Sequence, residues 1–240
     1  MLLKACLNGA RAPGSHPALP VTPEQLAVDA AAAAAAGAAA LHVHPRDADG
    51  RESLRGIVVA TTLEAMRAAV NLPIGVTTGA WVVPDARERL EALRGWSLLP
   101  DFASVNFHED GARAVAEWLI ERGVGVEAGI WSAASASALA ESGLAASCLR
   151  ILVEPMDPDA TTALATVRSI EAVVRDIGAP ILLHGFQATA WPMVDEAARR
   201  GYDTRIGLED TVLLPDGGPA SGNAELVGIA RERLDGVRRA

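Results

Sequence analysis

Eight short apolar runs, each followed by a longer segment of helical character, set the strongest limit on how this chain can fold. The runs fall at 3–8, 40–44, 74–78, 102–106, 124–128, 149–153, 181–184 and 204–208. Amphipathic, mostly alanine-rich stretches lie at 23–36, 59–69, 85–93, 111–122, 135–142, 160–176, 192–200 and 223–233. Short apolar runs suit strands buried on both faces. Strand and helix in strict alternation give right-handed βαβ units on a parallel sheet. Eight units in 240 residues fit one α/β domain over 1–240, a single (β/α)8 TIM barrel. A doubly wound open sheet is the alternative that the same alternation allows.

Local signals agree with this pattern. Thr22-Pro23-Glu24 offers a helix N-cap, a proline at the first helical position and an acid in the first turn. The run 30–36 is alanine throughout, which favours a closely packed helix. No apolar run reaches the roughly 18–20 residues of a membrane span, and the polar N-terminus does not read as a signal peptide. A net charge of −9 with a single lysine, Lys4, argues against a nucleic-acid surface. Cys6 and Cys148 lie far apart in apolar stretches and read as buried, reduced thiols of a cytoplasmic protein.

In a (β/α)8 barrel, functional groups come from the C-terminal ends of strands and the loops after them. Polar residues of this chain gather there: Asn8 and Arg11, His42 and His44, Thr77 and Thr78, Ser104 and Asn106, Glu127, Glu154, His184, and Arg205 with Glu209 and Asp210. One-sided clustering of this kind points to an enzyme.

His42 and His44 are two residues apart, so on a strand they point to one face. Runs 2 and 8 would be separated only by run 1 around a closed barrel, so Glu209 can converge on the histidine pair. Two imidazoles and a carboxylate make a metal site with open positions for chemistry. Such ligands favour Zn2+ over Mg2+ or Ca2+, with Fe, Mn, Co or Ni as alternatives. The plain alternative is a pair of histidines hydrogen-bonded in the barrel mouth. Arg205 and Asp210 flank Glu209; they form either a structural ion pair or a carboxylate base steadied by a guanidinium. Thr77 and Thr78 offer hydroxyls, and Trp81 and Trp131 would wall a pocket. Arg46-Asp47 reads as an internal bridge positioning its loop, Asp49-Gly50 as a turn, and His108 and His184 as either substrate groups or satisfied loop histidines.

Asn8-Gly9-Ala10-Arg11, Leu19-Pro20-Val21-Thr22-Pro23-Glu24, Leu41-His42-Val43-His44-Pro45-Arg46-Asp47, Thr77-Thr78-Gly79, Ala103-Ser104-Val105-Asn106 and Arg205-Ile206-Gly207-Leu208-Glu209-Asp210 followed by Asn223-Ala224-Glu225-Leu226-Val227 span nearly the whole chain. In these segments the chain resembles the β-keto acid cleavage enzymes, whose founding activity is 3-keto-5-aminohexanoate cleavage. The resemblance implies a Zn2+-dependent acyltransferase that condenses a β-keto acid with acetyl-CoA to give acetoacetate and a new acyl-CoA. Carried over, His42, His44 and Glu209 hold Zn2+, Asp210 is the base, and Arg205 and the Thr77 hydroxyl assist. Asn8, Arg11, Ser104, Asn106 and Glu127 fall at substrate-binding positions, and a homo-oligomer is expected.

Two departures bear on the substrate. Arg11 stands where the 3-keto-5-aminohexanoate cleavage enzyme has Glu, which disfavours an ammonium-bearing substrate. The loop after run 4 is short, which bears on the CoA path. A metal-dependent aldolase or hydrolase acting without CoA would use the same ligands, and a silent binding barrel would have lost some of them.

Overall fold

A computed structural model describes residues 1–237 of the chain. The elements run β1 (Leu3–Cys6), α1 (Pro23–Ala35), β2 (Ala40–Val43), α2 (Gly56–Ala69), β3 (Ile74–Thr77), α3 (Ala86–Arg94), β4 (Phe102–Asn106) and α4 (Ala112–Glu121). They continue as β5 (Gly125–Ile130), α5 (Ala133–Ser142), β6 (Arg150–Val153), α6 (Ala160–Val174), β7 (Ile181–Leu183), α7 (Ala190–Arg200), β8 (Asp203–Ile206) and α8 (Asn223–Val237). The strands form a closed barrel in chain order, β1 pairing in parallel with both β2 and β8. This is a single (β/α)8 barrel.

Each expected run contains a strand, with shifts at the ends. The ladder stops before Asn8, His44, Thr78, His184 and Leu208. Side chains take over backbone bonding at two of these ends: His44 N donates to Asn8 Oδ1 at 2.9 Å and Leu208 N to Asn223 Oδ1 at 2.7 Å. Helix α1 starts with a capping box between Thr22 and Gln25, with Pro23 in its first turn. Its Leu26, Ala30 and Ala33 are buried.

Alternation sorts the strand residues into two sets. Leu3, Ala5, Leu41, Val43, Ile74, Val76, Ala103, Val105, Val126, Ala128, Ile151, Val153 and Ile206 join the hydrophobic cluster with the helices. The other set points into the barrel. Toward its N-terminal end, Lys4 Nζ donates to Glu127, both fully buried. The Lys4 ammonium also lies 5.5 Å from the centre of the Phe102 ring. Arg150 Nε approaches Glu127 Oε1 at 3.3 Å, and Arg150 Nη1 lies 3.7 Å from Asp203 Oδ2. Phe102 fills the space beside Gly75, where a Cβ would come within 2.0 Å of its ring. The interior is therefore plugged below the site by an aromatic ring and a chain of ion pairs. No described helix is long and apolar enough to cross a membrane. Cys6 and Cys148 are both free and buried.

Candidate metal centre and active site

His42 and His44 project from the end of β2 into the barrel mouth, ring centroids 5.3 Å apart. Glu209 arrives from the loop after β8, crossing the end of β1 at Gly9. With φ +55°, Gly9 leaves the space this needs; a Cβ there would lie 2.4 Å from Glu209 Cγ. One ligand atom from each of His42, His44 and Glu209 lies within 4.8 Å of the others.

The chemistry of these donors fits a divalent transition ion. His42 Nδ1 and Glu209 Oε2 are buried without a hydrogen-bond partner, and polar atoms are seldom left so. His44 Nε2 faces Glu209 Oε2 at 3.7 Å. Burial, reinforced by His44, Lys4 and Arg205, holds the His42 pKa well below the ordinary imidazole value. His42 is thus kept neutral, the form a ligand requires.

His44 is fixed on both its backbone and its ring. Asn8 clamps the backbone, accepting from His44 N at 2.9 Å and donating to His44 O at 3.0 Å. Glu52 Oε1 lies 2.5 Å from His44 Nδ1. Burial would raise the Glu52 carboxyl, but hydrogen bonds from His44 and Trp81 and the charge of Arg46 hold it below its usual value.

Arg205 joins the two carboxylates beside it. Its Nη2 donates to Glu209 Oε1 at 2.9 Å and to Asp210 Oδ1 at 2.8 Å, and its Nε donates to Asp210 Oδ1 at 3.1 Å. Asp210 Oδ2 is buried and unpartnered. Burial raises the Asp210 pKa, with Glu209 adding to it and Arg205 and His184 opposing. His184 Nδ1 lies 3.8 Å from Asp210 Oδ1, and His184 Nε2 lies 3.5 Å from Glu154 Oε2. Burial would raise Glu154, yet His184 and Arg205 together draw it down to about 2.

A cavity of about 290 Å³ opens above these groups. His44, Glu154, Arg205 and Glu209 form its polar base, Arg11 lies at one side, and Trp81, Trp131, Met156 and Phe186 form apolar walls. Arg11 Nε donates to Leu208 O, and its Nη2 is buried without a partner.

Of the five expected substrate-binding residues, only Arg11 lines this cavity. Asn8 is occupied by the His44 backbone. Asn106 Nδ2 donates to Glu109 Oε1 at 2.8 Å, and Glu109 Oε2 accepts from Ala80 N at 3.0 Å. Glu127 is drawn into the barrel by Lys4 and Arg150. Ser104 sits on β4 beside Thr77 and Glu127. Thr77 is buried, its Oγ1 accepting from Gly79 N at 3.1 Å.

Arg46 forms no bridge to Asp47, contrary to the sequence-based expectation. Its guanidinium donates to the carbonyls of Gly50, Gly9 and Arg11 at 2.9, 2.8 and 2.6 Å. Asp47 Oδ1 instead accepts from the backbone of Asp49 and Arg51, both at 3.0 Å. Each residue satisfies loop backbone that would otherwise be unpaired. Sequence reasoning overlooked Glu52 altogether. Its signal was the Asp49-Gly50 turn, which folds the loop so that Glu52 bridges back to Arg46. It also gave no structural role to Asn223, whose fully buried amide holds Leu208 N, Leu7 O and Asp29 together.

Known structures share the architecture. ObcA, solved as a ternary complex with a C4-CoA adduct and oxalate, superposes with a TM-score of 0.74 at 18% identity. The alignment covers 92% of this chain and 64% of that one, so this chain spans less than two thirds of its length. A 3-dehydroquinate dehydratase from Geobacillus kaustophilus HTA426 matches with a TM-score of 0.64 at 12% identity, over 99% of this chain and 91% of that one. An N-acetylmannosamine-6-phosphate 2-epimerase from Clostridium perfringens gives 0.58 at 12% identity, over 88% and 87%. At these identities the likeness is one of fold. The family model of the beta-keto acid cleavage enzymes, in contrast, matches residues 1–240, and the chain belongs to that family.

Proposed function

We propose that this protein condenses a β-keto acid with acetyl-CoA and releases acetoacetate and a new acyl-CoA, with Zn2+ held by His42, His44 and Glu209. The observation that carries the proposal is the convergence of those three ligand atoms, within 4.8 Å, beneath a cavity lined by His44, Glu209 and Arg205, with Asp210 buried behind Arg205. Family membership supports the reaction class, and the CoA adduct bound to ObcA supports the acyl carrier.

When bound, the ion would act as a Lewis acid toward the keto acid carbonyl. Asp210 takes the proton next to that carbonyl. Its Oδ2 is free and buried, and its Oδ1 is steadied by two nitrogens of Arg205. A desolvated carboxylate with a raised pKa is a stronger base than one in water. The Thr77 hydroxyl, on the neighbouring face of the mouth, assists in orienting the substrate. Arg11 Nη2, buried and unpartnered, meets the far end of the substrate and favours an anionic or neutral side chain over an ammonium. Asn8 contributes by holding His44, and Ser104, Asn106 and Glu127 support the pocket from below and behind. We place the protein in the cytoplasm, where Cys6 and Cys148 stay reduced, and expect a homo-oligomer, to be read by light scattering.

The test is acetoacetate formation from a panel of β-keto acids with and without acetyl-CoA, beside metal analysis of the purified wild type and His42→Ala. Activity that needs acetyl-CoA, with metal in the wild type and none in the variant, is the expected result. Cleavage that proceeds without acetyl-CoA would replace this proposal with an aldolase or hydrolase.

A further inference from the structure

The loop between β2 and α2 doubles back through an antiparallel bridge between Arg46 and Glu52. The turn is closed by Gly50 N donating to Asp47 O at 2.9 Å. Glu52 is thereby returned to the metal centre, where its Oε1 serves two donors. One is His44 Nδ1 at 2.5 Å, the other Trp81 Nε1 at 3.1 Å. The Trp81 ring lies on the His44 ring, centroids 5.9 Å apart and planes 24° from parallel. A third constraint comes from Gly79, where a Cβ would come within 2.3 Å of the indole. An indole that is 47% exposed is thus fixed by a hydrogen bond, a stacked ring and a missing side chain.

We propose that Glu52 is a positioning residue that ties His44 to Trp81, so that loading of the metal centre and placement of the pocket's aromatic wall are linked. The inference rests on the reading of His44 as a metal ligand. An ionised carboxylate only accepts, so the Glu52 contact places the proton of His44 on Nδ1. The lone pair is then on Nε2, the nitrogen that faces Glu209. An ion on Nε2 makes Nδ1–H a stronger donor, which tightens its hold on the oxygen that also anchors Trp81. Trp81 lines the same cavity as Arg11 and Phe186, so the wall met by the keto acid side chain is set in the loaded protein.

The test compares wild type, Glu52→Ala, Glu52→Gln and Trp81→Phe. Zn2+ affinity is measured by competition with a chelator, and the emission of Trp81 is taken as the difference between matched proteins with and without Trp81→Phe. Glu52→Ala should weaken Zn2+ binding by about 10- to 100-fold and move the Trp81 emission to longer wavelength. Glu52→Gln keeps an acceptor oxygen and should recover most of the emission and part of the affinity. The link is overturned if folded Glu52→Ala or Glu52→Gln binds Zn2+ as tightly as wild type, or if the Trp81 emission is the same in all of them. A wild-type protein that binds no Zn2+ overturns the metal reading itself, an outcome distinct from a wild type that binds and variants that match it.

Discussion

Arg205 holds Asp210 through two nitrogens while sharing one of them with Glu209, so a single guanidinium sets both the proposed base and a proposed metal ligand. Lysine is a point charge and cannot reproduce that fork. Arg205→Lys is expected to fold and to lose about 100-fold in kcat, the lower end of what a well-placed base contributes. A variant with unchanged kcat would remove Arg205 from the mechanism.

Metal binding should also appear as stability. An ion at 100 times its dissociation constant adds about 2.7 kcal/mol, and for a domain of this size that raises Tm by about 5–10 °C. Melting curves in EDTA and in Zn2+ should differ by that amount in wild type and coincide in His42→Ala. Coincident wild-type curves would count against a metal centre.

Asp29 on α1 is mostly buried, and burial raises its pKa to about 6 even though Asn223 Nδ2 donates to it at 2.6 Å. The folded state therefore binds this proton more tightly than the unfolded state. The stability it gives is fully present below the ordinary value of 3.8 and is lost as pH rises through about 6. Asp29→Asn keeps an acceptor for Asn223 and removes the charge. Urea unfolding should find the variant more stable by about 1–3 kcal/mol at pH 7.5 and equal at pH 4. A gap of the same size at both values would mean the carboxylate is not the cause.

The Lys4–Glu127 pair is sealed, so removing Lys4 leaves the buried Glu127 with only the looser Arg150 contact. Lys4→Met should cost about 3–5 kcal/mol, and Lys4→Met with Glu127→Leu should recover part of it, Arg150 retaining Asp203. Chemical denaturation of the four proteins completes a double-mutant cycle, and additive losses would show that the two residues do not depend on each other.

The fold and the convergence of the proposed metal ligands were legible because both follow from periodicity. Strand and helix alternate, and His42 and His44 share a face because a strand repeats every two residues. Glu209 could be placed across β1 once the barrel was assumed closed. What escaped was fixed by contacts with no period. Glu52 reaches His44 only through the geometry of a turn, and Asn8 spends both its polar atoms on the His44 backbone. Glu127 was expected at the pocket, yet the chain's one lysine shares the barrel interior with it and takes the carboxylate. Strands β2 and β8 came out shorter than their apolar runs because side chains, those of Asn8 and Asn223, bond the backbone at His44 and Leu208.

Phe102 set against Gly75, with Lys4, Glu127 and Arg150 in the same interior, makes this barrel a vessel with a closed bottom. Small molecules meet the site from the mouth, past Trp81, Met156 and Phe186. Passage to the polar base of the cavity is therefore decided by side chains of the loops, and the far end of the barrel serves only to hold it shut.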